Sequence, residues 1–254
     1  KRTIKKIVKV KQNPKEDILK DVFAYSIPLV FWGFVDSIFY WTDSFMIGYF
    51  LSAESVGFYN AAVPLALLLG LAPEMFMQLF FPLITKEYGR KNINLIEGLS
   101  KQVNKWIFIV NLPFLILIFT FPGTFINLLF GSEYLVAENA LRILSIGAFF
   151  VSLSNVSNRL IGMKGKSKII LFNTSAATIL NIILNALLIP RYGINGAAVA
   201  TTISLIFLSL LSFVQVKKEL NLTPLRRSML KIGLVSLVSV ILLLFAKRFI
   251  LNIG

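Results

Sequence analysis

Seven long apolar segments divide this chain, and short polar or charged stretches separate them. Their approximate bounds are 22–50, 56–85, 106–121, 143–161, 169–190, 194–216 and 232–246. A helix needs roughly 20 apolar residues to cross a hydrocarbon core about 30 Å thick. Most of the segments reach that length, although the third and the seventh are short. The pattern predicts an all-α fold, a polytopic transmembrane helix bundle of about seven spans.

Positive charge alternates between the gaps, and this alternation orients the bundle. If the amino terminus lies inside, only four of the 26 basic residues fall on the outer side, namely Arg142, Arg191, Lys247 and Arg248. Loops on the cytoplasmic side of membrane proteins carry an excess of Lys and Arg. The sequence therefore predicts a multi-pass protein of the cell membrane whose amino terminus is cytoplasmic.

Composition excludes several classes of function. The net charge is +14, but the basic residues flank apolar spans instead of forming one stripe, which argues against nucleic-acid binding. Residues are 56% hydrophobic and only 15% charged, against roughly 25% charged in soluble domains. The chain has no Cys and no His, and no catalytic, phosphate-loop or metal-binding motif is present. We predict no enzyme activity, no metal site and no cofactor.

Three regions organise the chain. Residues 1–20 are basic and form either a cytoplasmic connector or a segment lying on the anionic inner leaflet. Residues 21–216 hold six spans, and residues 217–254 form a cytoplasmic loop followed by one additional transmembrane helix. The outer connections 51–55 and 191–193 are so tight that the helices they join must be antiparallel neighbours. Because the chain begins at Lys1 without a Met, we expect it to be a piece of a longer polypeptide.

Proline recurs in the second span. Pro64, Pro73 and Pro82 each remove a backbone hydrogen bond and bend a helix. A membrane tolerates such a bend only where neighbouring helices or water satisfy the freed carbonyl groups. The pattern indicates either an adjustable helix beside a cavity or a static kink that helps packing.

Acidic and amide side chains lie within the first two spans. Asp36 and Asp43 are two turns apart on one face of the first span, with Asp43 near the outer surface, and Glu74 and Gln78 share a face of the second span. An ionised group at membrane depth costs about 2.5–3.5 kcal/mol even on a lenient scale. We therefore expect such groups to face a wet cavity or a partner, and we expect Asp36 and Glu74 to bind a coupling cation or polar head-group atoms. For Asp43, an ordinary aspartate at the level of the outer headgroups is an equal alternative.

The fourth and fifth spans carry amides where the first two carry acids. The fourth carries Asn155, Asn158 and Arg159, and the fifth carries a stripe on one face, Asn173, Asn181 and Asn185. Such a stripe suits a sugar or pyrophosphate group crossing the bilayer, but asparagines also serve as hydrogen bonds between packed helices. Arg159 either extends to the inner surface or binds phosphate at the inner mouth of the path.

Several segments, taken in order, resemble a known family. They are the segment 43–59, Phe130-Gly-Ser-Glu-Tyr134 with Ala140-Leu-Arg-Ile-Leu144, Gly162-Met-Lys-Gly-Lys-Ser167, and the segment 181–201. Together they are similar to polysaccharide-biosynthesis flippases, of the kind that move O-antigen-type repeat units, in the multidrug/oligosaccharidyl-lipid/polysaccharide exporter superfamily. Segment 43–59 resembles the part of that family that joins two helices at the start of the second lobe.

The resemblance implies a fold and a function. Family members carry two pseudo-symmetric six-helix lobes around a central cavity, so this chain resembles the second, C-terminal lobe with one following helix, and its partner is the missing N-terminal lobe. The implied function is flipping of lipid-linked oligosaccharides to the outer leaflet by alternating access, with a coupling ion, H⁺ or Na⁺. A cation-coupled multidrug exporter of the same superfamily is the first alternative. A membrane glycosyltransferase or polysaccharide ligase is the second, although the short outer gaps without His disfavour it.

Overall fold

A computed structural model describes residues 14–226 together with residues 229, 232 and 233. This part of the chain is helical and contains no strand, which confirms the all-α part of the predicted fold class. The predicted count of about seven spans is not confirmed. Its α-helices are α1 (Pro14–Phe50), α2 (Ala53–Leu67), α3 (Leu71–Gly89), α4 (Ile93–Thr120), α5 (Pro122–Phe130), α6 (Glu138–Met163) and α7 (Ser167–Leu220). The seventh predicted span, 232–246, lies almost wholly outside the described residues, as do residues 1–13.

Five helical stretches of the described chain are long and apolar enough to cross a membrane, by length and composition. They are Ile18–Phe50, Ala53–Gly89, Ile93–Thr120, Ser132–Met163 and Ser167–Leu220. Each contains one of the predicted apolar segments, except that the last contains both the fifth and the sixth.

The last stretch doubles back on itself at Gly193. This residue has φ 59° and ψ −140°, a conformation that breaks a right-handed helix and that glycine adopts without a Cβ clash. Twenty residues of straight helix span about 30 Å, yet Asn181 Nδ2 lies 2.9 Å from Thr201 Oγ1. Residues 167–192 (α7a) and 194–220 (α7b) are therefore antiparallel neighbours, as the tight connection predicted, and each is long enough for one crossing.

The regular α-helix of the second span is interrupted near two of its three prolines. A 3₁₀ turn, Leu68–Gly70, separates α2 from α3, with Pro64 before it and Pro73 after it. Asn111 Nδ2, on α4, donates a hydrogen bond of 2.8 Å to the carbonyl oxygen of Leu69 within this turn. A neighbouring helix thus satisfies a carbonyl group at the interruption, as an apolar environment requires.

Helix α6 lies at the centre of the bundle and packs against α7, α4 and α2. Buried apolar side chains form one cluster towards the turn at Gly193, including Ile47, Ile118 and Ile189. A second cluster lies towards the opposite, lysine-rich end and includes Ile84 and Val216. In contrast, α1 exposes a row of large apolar side chains, among them Phe23, Phe31, Phe34 and Phe45. The bundle therefore has a packed interior and an apolar outer face, the arrangement expected of a protein surrounded by lipid.

The ends of the bundle differ in charge. Lys164 pairs with Glu219 at 3.0 Å, and Thr223 donates to Glu97 at 3.1 Å, so the α6–α7 turn, the start of α4 and the end of α7 meet at one end. We call this the basic end, because the lysine-rich connections gather there. Helix α4 begins at Ile93, capped by the side chain of Asn92, so helix extends well before the apolar segment that begins at Trp106.

Candidate functional site

Asp43 is a carboxylate buried inside the bundle. It lies on α1, seven residues before the helix ends at Phe50, and only 6% of its surface is exposed. Seven residues correspond to about 10 Å of helix, so the position along the helix agrees with the sequence prediction of a site near the outer end. The side chain does not face a surface there, however, because it points towards α2 and both halves of α7.

Four hydrogen-bond donors converge on the two carboxylate oxygens of Asp43. The hydroxyl groups of Tyr59 and Thr201 each donate to Oδ2 at 2.5 Å. The amide of Asn185 donates to Oδ1 at 2.7 Å, and that of Asn181 approaches the same oxygen at 3.4 Å. A buried charge is tolerated when it is fully hydrogen-bonded, and these donors meet that requirement. We refer to these five residues as the Asp43 cluster.

Further hydrogen bonds link the donors to one another. Asn181 Nδ2 donates to Thr201 Oγ1 at 2.9 Å, and Asn185 Nδ2 donates to Asn181 Oδ1 at 3.1 Å. The carbonyl oxygen of the Asn185 side chain is buried and has no hydrogen-bond partner among the described residues. Since α1, α2, α7a and α7b each contribute a side chain, a change in the charge of Asp43 alters the bonds among four helical segments at once.

The helix pattern explains why these side chains meet. Asn181 and Asn185 are one turn apart on α7a and face inwards as the predicted stripe requires. The reversal at Gly193 brings Thr201 of α7b level with them, since each lies a similar distance from the turn. Close packing at the reversal depends on Gly196, because a Cβ at that position would lie 2.3 Å from the carbonyl oxygen of Leu188.

A cavity opens beside the cluster. Asp43, Tyr59 and Thr201 contribute to its wall, and aromatic and aliphatic side chains complete the lining, including Phe39, Tyr40, Trp41 and Leu144. Ser44 and Asn60 also line it and are joined by a hydrogen bond of 3.0 Å. The otherwise buried carboxylate therefore lies at the wall of a cavity.

A second polar feature joins α3 to α6. Arg159 Nη2 lies 2.8 Å from Glu74 Oε2. Both side chains are exposed, at 43% for Arg159 and 49% for Glu74. The structure thus brings together two residues that the sequence singled out separately, as an ion pair on the surface of the bundle.

The remaining predicted residues are scattered. Asp36 and Gln78 are exposed and make no hydrogen bond or ion pair within the described part of the chain. Asn173 is buried and accepts a hydrogen bond from Gln215 at 2.7 Å, while Asn158 accepts one from Ser212 at 2.8 Å. Asn155 has a buried side-chain oxygen without a partner among the described residues. Asn158 and Asn173 therefore bridge helices, which is one of the two roles the sequence left open.

Sequence reasoning missed Tyr59 and Thr201. A tyrosine and a threonine are ordinary in a membrane helix, and neither is ionisable near neutral pH, so neither attracts attention alone. The sequence did contain one signal, the tight connection 191–193. This connection makes α7b antiparallel to α7a, so residues near Thr201 must lie opposite the asparagine stripe.

The oxygen atoms of the Asp43 cluster are suited to binding small cations. The cluster offers carboxylate, amide and hydroxyl oxygens, which hard cations prefer, and the unpaired oxygen of Asn185 adds one further ligand. Within the described residues there is no group of three or more His, Cys, Asp or Glu side chains that would hold a transition metal.

Comparisons with known proteins agree with this architecture. The chain is 28% identical over 255 residues to an uncharacterized membrane protein of Methanocaldococcus jannaschii, matching all of this chain and 50% of that protein. It is 28% identical over 181 residues to a putative O-antigen transporter of Shigella flexneri, covering 70% of this chain and 42% of the relative. A probable low-salt glycan biosynthesis flippase of Haloferax volcanii, Agl15, is 27% identical over 186 residues, or 73% and 39% of the two chains.

A solved structure shares the fold. An outward-facing multidrug resistance MATE family transporter of the MOP superfamily superposes with a TM-score of 0.62 at 21% identity, covering 84% of this chain and 49% of that one. The chain thus spans about half the length of the relatives it matches, or less. The MatE family model matches residues 28–187, more than half of the chain. The chain belongs to the MatE family.

Proposed function

We propose that this chain forms one lobe of a membrane transporter that flips lipid-linked oligosaccharides from the cytoplasmic to the outer leaflet. The observation that carries the proposal is the Asp43 cluster in a MatE lobe whose relatives are named for O-antigen and glycan transport. Alternating access requires two rigid bodies around a central site. Because the chain matches about half of its relatives or less, we assign the other body to a second lobe, and by the resemblance of segment 43–59 this lobe is the second.

The Asp43 cluster is the proposed coupling site. In the ionised state, Asp43 accepts hydrogen bonds from Tyr59, Thr201 and Asn185 together. A proton on Oδ2 makes that oxygen a donor, so at least one of the two hydroxyl groups must turn away. A sodium ion would instead draw both carboxylate oxygens and the free Asn185 oxygen towards itself. In either case cation binding changes how α1, α2 and α7 are held together, and this is the change that alternating access requires.

We place the head-group path on the exposed face of the lobe. Asp36, Glu74, Gln78 and Arg159 are the exposed polar side chains among the predicted site residues. Glu74 and Arg159 can exchange their mutual ion pair for contacts with hydroxyl or phosphate groups of a substrate. Asn181 and Asn185 are buried, so they serve the coupling site in this proposal and do not touch the sugar.

A multidrug exporter is the alternative, and two observations favour it. A structural neighbour is described as a multidrug resistance transporter, and the carboxylate of Asp36 is exposed without a partner among the described residues, as a site for organic cations requires. Transport by an exporter would depend on a cation in the same way as transport by a flippase, but the transported molecule would differ.

Transport by the complete two-lobed protein in liposomes separates these functions. We expect a fluorescent lipid-linked oligosaccharide to become accessible to an impermeant quencher in the opposite leaflet without chemical change, while an organic cation dye does not move. Movement of the dye alone would favour the exporter, and a covalently altered oligosaccharide would indicate an enzyme. The present chain alone is expected to insert without flipping either cargo.

The proposed orientation is tested by cysteine labelling, since the sequence contains no native Cys. Ser132 and Lys168 are exposed at opposite ends of the bundle, whereas Ser167 is buried and unsuitable. An impermeant maleimide applied to intact cells should label Ser132→Cys and spare Lys168→Cys. The reverse result would place the basic end outside.

A further inference from the structure

A small pocket lies at the basic end, at the turn between α6 and α7. The turn is formed by Gly162-Met-Lys-Gly-Lys-Ser167, and Gly165 adopts a positive φ of 78° there. The hydroxyl group of Tyr25 on α1 donates to the carbonyl oxygen of Gly162 at 3.3 Å and holds the opposite wall in place. The pocket is lined by Ala24, Tyr25, Gly165, Lys166, Ser167 and Lys168.

Ser167 is a buried donor without a partner. Only 2% of its surface is exposed, it lines the pocket, and its hydroxyl group makes no hydrogen bond to any residue that the structure describes. Its oxygen is not among the fully enclosed unpartnered atoms of the described residues, so the small exposed part of this side chain includes the hydroxyl group. Its position on the pocket wall therefore points to a ligand that accepts a hydrogen bond.

The start of α7 adds further donors. The backbone N–H groups of Ser167 and Lys168 have no hydrogen-bond acceptor among the described residues, and no side chain caps this helix end. Free N–H groups and the positive end of the helix dipole attract anions, phosphate groups above all. The helix end and the Ser167 hydroxyl group thus favour the same kind of ligand.

The charged side chains around the pocket add net positive charge, the same sign as the start of the α7 helix dipole. Lys166 and Lys168 line the pocket, and Lys164 lies in the same turn. Glu219 is the carboxylate that faces this turn, and it pairs with Lys164 at 3.0 Å and Lys166 at 3.6 Å. Lys168 is exposed and has no ion pair with a described residue. The turn therefore keeps a positive charge that Glu219 does not cancel.

We propose that this pocket binds a phosphate group. The Ser167 hydroxyl group and the first N–H groups of α7 donate hydrogen bonds to its oxygens, and Lys166 and Lys168 balance its charge. The phosphate belongs either to the headgroup of an anionic phospholipid or to the pyrophosphate of a lipid-linked molecule. The site lies at the end of the bundle opposite the Asp43 cluster and does not depend on the transport proposal.

The full 254-residue chain, purified and reconstituted, is the material for the test. One arm titrates inorganic pyrophosphate into the protein in neutral detergent and measures affinity by calorimetry. The other arm counts lipids retained in native mass spectrometry after release from nanodiscs of phosphatidylcholine, with and without phosphatidylglycerol. The variants are Ser167→Ala and the double change Lys166→Gln/Lys168→Gln. The matched control is Lys217→Gln/Lys218→Gln, which removes the same charge at the carboxyl-terminal end of α7b, within the basic end but outside the pocket lining.

We expect the parental chain to bind at least one phosphate-bearing probe in preference to phosphatidylcholine. Ser167→Ala should weaken that binding about tenfold, as loss of a hydrogen bond to a charged group does. The lysine pair should weaken it by a similar factor or more, and the control should change it less than about twofold. Loss in only one arm identifies the source of the phosphate.

Two results would overturn the proposal. One is equal binding of phosphatidylcholine and both phosphate-bearing probes by the parental chain. The other is an equal loss of binding in the control variant, which would mean that the general positive charge of the basic end attracts anions. Circular dichroism and thermal unfolding of each variant show whether the change has altered the fold, and Ser167→Ala conserves enough volume to remain informative.

Discussion

The Asp43 cluster and the Glu74–Arg159 pair both place a carboxylate among membrane helices, but in opposite surroundings. Asp43 is buried and accepts hydrogen bonds from three helical segments. Glu74 is half exposed and has one partner on one other helix. The first arrangement ties the fold of the lobe to the charge of one residue, whereas the second leaves both charges accessible.

This difference indicates separate roles. An exposed ion pair contributes about 0–1 kcal/mol and can be exchanged for other contacts at little cost. A buried, multiply hydrogen-bonded carboxylate cannot change charge without rearranging its donors. In a transporter, the exposed pair is suited to contact cargo that arrives and leaves, and the buried cluster is suited to sense an ion.

Truncation of the two carboxylates should give the largest contrast in stability. Asp43→Ala leaves the buried donors of Tyr59, Thr201 and Asn185 without their acceptor, so we expect the free energy of unfolding to fall by about 2–4 kcal/mol. Glu74→Ala should lower it by less than about 1 kcal/mol. Unfolding of both variants by denaturant in mixed micelles measures the two values.

Equal losses would contradict the distinction between a structural network and a surface pair. Asp43→Asn serves as the matched control for the first variant. An asparagine there can accept from the Asn185 amide and donate to the hydroxyl oxygens of Tyr59 and Thr201, so its unfolding free energy should fall by less than that of Asp43→Ala.

The reversal at Gly193, which brings the two halves of α7 together at the Asp43 cluster, gives the second test. Gly196→Ala brings a methyl group against the backbone of Leu188, which must shift. We expect a loss of about 1–3 kcal/mol in unfolding free energy, typical of overpacking. The control is Gly57→Ala, since a Cβ at that helical position meets no atom within 4 Å. A tolerated Gly196→Ala would mean that the hairpin at Gly193 does not pack as closely as described.

Substitution of Thr201 is expected to have the smallest effect on the stability of the Asp43 cluster. Thr201→Val keeps the shape but removes the hydroxyl group that donates to Asp43 and accepts from Asn181. The expected cost is about 1–2 kcal/mol, together with weaker coupling of transport to the ion gradient. Thr201→Ser retains the hydroxyl group and should preserve most of both properties. If the serine variant loses as much as the valine variant, the methyl group matters and the hydrogen bonds do not.

Hydropathy predicted much of the fold, because the requirement for apolar length acts on the sequence directly. The first six apolar segments coincide with helices, and a 3₁₀ turn interrupts the second span between Pro64 and Pro73. The predicted pattern does not contain α5 or the 3₁₀ helix Ser132–Ala137, which fill the connection before α6. Their formation depends on packing against α2 and α6 and so on tertiary structure.

The Asp43 cluster was harder to predict from the sequence than the fold. Helical periodicity gave the asparagine stripe and the shared face of Asp36 and Asp43, but it could not tell which of the two acids turns inwards. Asp36 is exposed, whereas Asp43 is buried. That difference follows from the neighbours of α1, and the partners Tyr59 and Thr201 come from segments 16 and 158 residues away in sequence.

The proposed role of Asp43 is tested most directly by the response of transport to an ion gradient. In liposomes containing the complete transporter, an imposed proton or sodium gradient should accelerate flipping of a labelled lipid-linked oligosaccharide by the parental protein. Asp43→Asn should fold normally and flip at a low rate that neither gradient changes, while Asp36→Asn and Glu74→Gln reduce the rate but keep the response. A gradient response retained in Asp43→Asn and lost in Asp36→Asn or Glu74→Gln would contradict the assignment of the coupling site.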